Sequence, residues 1–281
     1  ISKIKTGITN KILNELKSLS NKEGDTYIKF WNNFGAVIKE GLYEFNDHHE
    51  KILPLLRFES SESENQTSLD DYIAKMKPDQ NEIYYFANTD KDHIKNSPQL
   101  EAFTANKIPV LFMTDAVDEF WLQNIKNFKD KTFKSISKGK VDISKLKKDD
   151  KNKSKPKSKK NNKINDLINI LKDNLKEKIS EVTISDRLIK SPILLVADEG
   201  SMDINMEKLM KMHNKSAPDS KKILEINADH PMIIKISESL NKYDHNKISN
   251  LLLDQANILD GNPLSNASAY MESLTELFIK D

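Results

Sequence analysis

Between Ser137 and Lys163 the sequence carries twelve Lys against three Asp, a single Pro and, beyond Leu146, almost no large apolar side chain. A stretch with so little to bury cannot offset the entropy lost on ordering it, so a solvated linker is expected there. That segment limits what the chain can fold into: residues 1–136 and 163–281 are left as two modules, joined through 137–162. At 281 residues, the chain is long enough for each module to bury a core of its own.

In the first module Ile8, Ile12, Leu13, Leu16 and Leu19 repeat at helical spacing, and Asn21 to Gly24 end that helix. Asp25 is a candidate N-cap for a second helix, on which Tyr27, Phe30, Trp31, Phe34, Val37 and Ile38 form an apolar stripe expected in the core, with Gly41 as its stop. Pro54, inside a third helical stretch from His49 to Arg57, should kink it or delay its start. Ser68 and Asp71 have capping-box spacing. Ile83 to Ala87 and Pro109 to Met113 read as short buried strands either side of a helix that starts at Ser97-Pro98, which makes a β-α-β unit. A helix from about Ala116 to Phe128 completes a small three-layer α/β subdomain.

The second module starts with a helix carrying Ile164, Leu167, Ile168, Leu171 and Leu175. Strands follow at Val182 to Ile184 and Ile193 to Ala197, then a Met-rich helix from about Asp203 and a strand at Lys222 to Ile226. The remainder is helical, and its last helix is introduced by Asn262-Pro263. The fold class expected is α/β (α+β), ending in helices.

Several chemistries are disfavoured. Without cysteine there is no disulfide, thiolate nucleophile or Cys-bound metal, which fits a reducing compartment, and the cytoplasm is the expected location. The longest apolar runs, Ile108 to Met113 and Ile193 to Ala197, fall far short of the roughly 20 residues that span a bilayer. The opening Ile1-Ser-Lys-Ile-Lys-Thr-Gly7 has no apolar signal core and no initiator Met, so a piece cut from a longer chain is expected. A phosphate-cradling loop needs clustered glycines, and the seven here are scattered from Gly7 to Gly261. Asp47-His48-His49 offers metal-ligand types, but adjacent side chains diverge, and an exposed polar turn is the expected outcome. His230, just before Pro231, is expected to cap a helix. No catalytic, cofactor-binding or metal-binding residue is assigned. The Lys run could bind nucleic acid by counterion release, but it lacks the Arg and interleaved aromatics that contact bases. Nucleic-acid binding and a self-contained α/β enzyme stand as the alternatives.

Taken in order, several segments resemble the heat shock protein 90 family in its bacterial form. Tyr27-Ile-Lys-Phe-Trp-Asn-Asn-Phe-Gly35, Lys39-Glu-Gly41 and Leu55-Leu-Arg-Phe58 are similar to middle-domain helices of that family. Ser68-Leu-Asp-Asp-Tyr-Ile-Ala-Lys-Met-Lys77 with Ile83-Tyr-Tyr85 is similar to another of its signatures. Asp186-Arg-Leu188 with Ser191-Pro192, and Leu224-Glu-Ile-Asn-Ala-Asp-His-Pro231, are similar to its C-terminal domain. The ending Phe278-Ile-Lys-Asp281 lacks the acidic pentapeptide of eukaryotic cytosolic members.

The resemblance implies the end of a chaperone middle domain followed by a dimerisation domain. The family's ATP-binding domain and catalytic arginine have no counterpart here, so ATP and Mg are expected only in a longer parent. Implied partners are a second copy, unfolded or partly folded clients and, as a further candidate, a bacterial co-chaperone. Leu251, Leu252, Ala256 and Leu259 on one helix, and Ala267, Tyr270, Met271, Leu274, Leu277 and Phe278 on the last, recur at helical spacing. Such stripes commonly pack within one protomer, but the resemblance implies that they build a two-fold four-helix interface. Two short helices are implied as client-binding surface. One carries Met202, Met206, Leu209 and Met210 on a single face, expected as an exposed apolar patch. The other carries Glu119, Phe120 and Gln123. There Val117, Phe120, Trp121 and Ile125 also make a core stripe, with Trp121 the better core candidate and Phe120 the better exposed one.

Overall fold

The computed structural model describes residues 2–43, 48–141, 158–213 and 220–279. They fall into two units, Ile1–Ile94 with Lys107–Ser135, and Lys95–Asn106 with Ile136–Asp281. In chain order the elements run α1 (Ser2–Lys22), α2 (Gly24–Tyr43), α3 (His49–Ile52), β1 (Phe58–Ser60), β2 (Ser63–Thr67), α4 (Leu69–Lys75), β3 (Glu82–Ala87) and α5 (Lys91–Asn96). They continue with α6 (Glu101–Ala105), β4 (Leu111–Met113), α7 (Asp118–Asn124), β5 (Asn127–Phe128), β6 (Lys131–Ser135) and α8 (Ser158–Leu175). The chain closes with β7 (Ile179–Ile184), β8 (Ile193–Val196), α9 (Ile204–Met212), β9 (Lys222–Ile226), α10 (Pro231–Glu238), α11 (His245–Leu259) and α12 (Ala267–Ile279). The architecture is α/β.

The first unit is built on a sheet of order β2-β1-β4-β3-β6-β5. Its centre is parallel, with Tyr85 opposite Leu111 on β4 and Ile83 opposite Phe133 on β6, while β1, β2 and β5 pair antiparallel at the edges. Side chains of β3 are buried on both faces, as in a sheet covered on both sides. The capping box forms: Ser68 Oγ accepts from Asp71 N–H at 3.0 Å, and the Asp71 carboxylate accepts from Ser68 N–H at 3.4 Å. On the same helix Tyr72 donates its buried hydroxyl to Pro109 O at 2.8 Å and accepts from Tyr84 N–H at 3.0 Å, which fastens α4 to the sheet. Pro54 ends α3 at Ile52 and opens a 3₁₀ turn over Leu53–Leu55, a position that asks no hydrogen bond of its nitrogen.

Helix α2 departs from the expected stripe. Its buried face is Tyr27, Trp31, Gly35, Lys39 and Leu42, while Phe34 and Val37 are exposed. Glycine is required at Gly35, because a Cβ there would come within 2.7 Å of the Trp31 ring. Gly41 does not stop the helix, which continues to Tyr43; a Cβ at Gly41 would come within 2.9 Å of Ile52 Cδ1, so the glycine lets α3 approach. The helix expected over 116–128 is limited to α7, because the chain turns at Ile125 into the β5–β6 hairpin.

In the second unit β9 is central, parallel to β7 and antiparallel to β8. Leu167, Leu171, Ile193, Leu224, Ile233 and Leu252 form its core. His230 caps α10, its Nδ1 accepting from Met232 N–H at 3.2 Å. The start of the expected linker is packed rather than solvated: Gly139 N–H donates to Ala197 O at 2.8 Å, Ala197 N–H donates to Ser137 O at 2.9 Å, and Val141 is buried. Backbone hydrogen bonding beside β8, the Arg187 guanidinium donating to Gly139 O at 2.7 Å and the Ser137 hydroxyl donating to Asp203 Oδ1 at 2.9 Å hold it there despite the Lys-rich composition. The body of the Lys run, 142–157, and Asp47 of the Asp-His-His sequence lie outside the described residues.

Residues 95–106, expected in the first module, belong to the second unit. Gln99 Nε2 donates to Leu195 O at 2.9 Å and Ala102 N–H donates to Arg187 O at 3.1 Å. The Glu101 carboxylate accepts from the backbone N–H groups of Ile189, Lys190 and Ser191 and from Ser191 Oγ, at distances from 2.6 to 3.2 Å.

Candidate functional site

Glu119, Phe120 and Gln123 sit on α7, whose inner side is fixed by Trp121. The Trp121 ring is fully buried, meets Phe133 edge-on at 5.5 Å and donates Nε1–H to Asp118 Oδ1 at 2.8 Å. Asp118 is itself wholly buried, and its Oδ2 accepts from Lys39 Nζ at 2.8 Å. Burial pushes the Asp118 carboxyl up from its ordinary value, and the Lys39 ammonium and the indole N–H pull against that rise. With Trp121 and Leu122 turned inward, Gln123 is exposed and Glu119 and Phe120 are half-buried. Phe120 meets Tyr43 edge-on, 5.6 Å between ring centroids. The expected division, Trp121 inside and Phe120 outside, holds with Phe120 partly covered.

On α9 the expected exposed patch is only half present. Met206 is buried at 5% exposure, alongside Ile204 and Glu207, while Leu209 and Met210 are half-buried; Met202, half-buried too, precedes the N-cap Asp203 and so lies outside the helix. The reason is the inner anchor. Glu207 accepts from Lys211 Nζ at 2.8 Å, from Ser220 Oγ at 2.6 Å and from Lys222 Nζ, and this turns the Met206 side of the helix inward. Met212, which spacing did not single out, is 80% exposed.

The helical ends divide as well. Leu251, Leu252 and Ala256, expected at a dimer interface, are buried in the protomer's own core. Tyr270, Leu274 and Leu277 pack partly against that core. Leu259, Ala267, Met271 and Phe278 are exposed, the last two at 56% and 76%, and no residue of α12 is buried. Lys247 ties α11 to α12 through Glu276 at 2.5 Å and Glu272 at 3.2 Å. Spacing missed Ile258 and Ile279, which are exposed too; both flank residues that were singled out, and only the tilt of each helix on the core identifies them.

A family model described as "Hsp90 protein" matches residues 1–281. The chain belongs to the Hsp90 family. Among curated Hsp90 relatives, it is 40% identical over 280 residues to the chaperone protein HtpG of Roseobacter denitrificans, covering 98% of this chain and 45% of that protein. HtpG of Wolbachia pipientis wMel is 36% identical over 291 residues, and HtpG of Rickettsia rickettsii 35% over 282, each covering 100% of this chain and 45% of the relative. The chain thus spans about half the length of the curated Hsp90 proteins it matches. Among the described residues no cluster of three His, Asp or Glu side chains could hold a metal ion, and no helix is long and apolar enough to cross a membrane.

Proposed function

We propose that this chain supplies the dimerising end and part of the client-binding surface of a bacterial, cytoplasmic, ATP-driven chaperone. The observation that carries the reading is α12: an apolar helix with Met271, Phe278 and Ile279 exposed, lying on a unit that already has a complete core. Such a surface is costly in water unless covered, and a second copy of the same helix pair covers it with two-fold symmetry. Clients would meet α7 and the outer side of α9, where half-buried aromatic and thioether groups suit weak, sequence-tolerant contact.

ATP and Mg act elsewhere in the longer parent. The sequence has no cluster of glycines that would let a backbone approach phosphates, so the isolated chain should not turn over ATP. The test is sedimentation of the 281-residue chain with Met271→Asp and Phe278→Asp together. Both side chains are exposed in the protomer, so the fold should survive while the dimer dissociates; a dimer as tight as wild type overturns the reading.

A further inference from the structure

Helix α7 has little of its own to hold it. It is seven residues long and has no side-chain cap, and a helix that short is not stable alone in water. Its orientation comes from what it docks against, and part of that docking is ionic. Lys39, on α2, is 2% exposed and continues the buried row Tyr27, Trp31, Gly35 at four-residue steps. Its ammonium reaches Asp118 Oδ2 and Asp115 Oδ2 at 2.8 Å each and lies 4.7 Å from the Phe58 ring centroid. Asp118 in turn collects three donors: Lys39 Nζ, the Trp121 indole N–H at 2.8 Å and Asp115 N–H at 3.2 Å. One cation thus fixes the turn before α7, its first residue and, through Asp118, the indole that forms its inner face.

A buried ion pair adds little stability compared with a well-packed apolar pair. It differs in direction, because the charged hydrogen bonds permit one rotation of the helix, whereas apolar contacts tolerate several. We propose that Lys39 is a positioning residue for the client-contact helix, setting the rotation of α7 about its axis so that Phe120 and Gln123 are presented outward. This rests on the client-binding reading of α7 given above.

The experiment uses the full 281-residue chain with reduced, carboxymethylated α-lactalbumin as an unfolded probe. Four proteins are compared: wild type, the pair Lys39→Met with Asp118→Asn, Phe120→Ala, and all three substitutions together. The paired change removes both charges at once, so no unpaired charge stays buried, and the new amide still offers the Trp121 indole an acceptor. Expected is a paired variant that unfolds close to wild type but binds about tenfold more weakly, with no further loss when Phe120→Ala is added. The contact between the Phe120 and Tyr43 rings, 5.6 Å between centroids, should be lost in parallel when followed by nuclear Overhauser effects, which a purely structural contribution to stability would not require. A folded paired variant that binds as tightly as wild type overturns the proposal, as does a loss that multiplies with that of Phe120→Ala. If Phe120→Ala alone binds as wild type, the client-site reading fails and the Lys39 assignment with it; if Phe120→Ala loses binding and the paired variant does not, only the Lys39 assignment fails. Should the paired variant not fold, Asp118→Asn alone takes its place with the same expectations.

Discussion

Arg187 and Glu225 form an ion pair, 3.1 Å from Nη2 to Oε1, with both side chains more than nine-tenths buried. The guanidinium is otherwise spent on main chain and amide: it donates to Gly139 O at 2.7 Å, to Ile136 O, and to Gln99 Oε1 at 3.1 Å. One side chain therefore holds residues 95–106 and the stretch after β6 to the sheet of the second unit. Removing it leaves the buried Glu225 carboxylate with Ser185 Oγ, at 2.5 Å, but no cation, and takes the guanidinium from the oxygens of Gly139, Ile136 and Gln99. Arg187→Met should cost about 3–5 kcal/mol of second-unit stability. Urea unfolding checks the size, and hydrogen exchange across 95–106 checks the place. A loss below about 1 kcal/mol, the worth of an exposed pair, would contradict the staple.

The Glu101 carboxylate gives that same region a pH dependence. Partial burial raises its pKa, but the hydrogen bonds from Ser191 and from the N–H groups of Ile189, Lys190 and Ser191 outweigh this and hold it below its ordinary 4.5. For an acid with a depressed folded value, the contribution is present above the unfolded value and lost as pH falls through the folded one. Glu207, held down by Lys211, Lys222 and Ser220 against its own burial, has the same sign. The second unit should lose stability as pH drops below 4.5. Glu101→Gln should be less stable than wild type at neutral pH, and the gap should narrow on acidification. Thermal unfolding from neutral to acid pH measures both, and a gap independent of pH would remove Glu101 from the account.

Gly35→Ala should destabilise the first unit although it improves helix propensity. Alanine gains about 1 kcal/mol over glycine within a helix. Against that, the new methyl would stand 2.7 Å from Trp31 Cε2, and Trp31 is buried, so the ring must be displaced. Overpacking of this kind costs about 1–3 kcal/mol. A lowered unfolding midpoint with altered Trp fluorescence is expected; a raised midpoint would mean that the ring yields freely.

What the sequence reveals and what it hides follow the reach of each signal. The Ser68 and Asp71 cap and the strand at Lys222–Ile226 depend on neighbours within a few residues, and both are legible, whereas Pro54 ends its helix at Ile52 in a 3₁₀ turn rather than kinking it or delaying its start. The face of α2 is not. Helical spacing fits Phe34 and Val37 as well as Tyr27 and Trp31, and the true face is disguised by a glycine and a lysine whose partner, Asp118, lies 79 residues away. Residues 95–106 join the second unit through contacts with Arg187 and Ser191 that span 88 and 90 residues, beyond any local pattern. On the helices singled out as candidate surfaces, spacing does not reveal which side faces out, as Met206 and Leu252 demonstrate.

The burial of Met206 changes how a client surface on α9 must be probed. At 5% exposure its truncation opens a cavity, and Met206→Ala should cost about 2–5 kcal/mol, so lost binding by that variant would report unfolding as much as contact. The outward side belongs to Leu209 and Met210, half-buried, and to Met212, which is 80% exposed. A thioether on a flexible stem adapts to varied apolar partners, and truncating the exposed one removes little from the protomer. Met210→Ala with Met212→Ala should therefore change stability by no more than about 1 kcal/mol while weakening binding of an unfolded client severalfold. Anisotropy titration with a labelled, permanently unfolded protein, run beside thermal unfolding and sedimentation, separates the two effects. Binding that equals wild type, by a variant that unfolds and sediments as wild type does, would exclude α9 from the client surface and leave α7 as the remaining candidate.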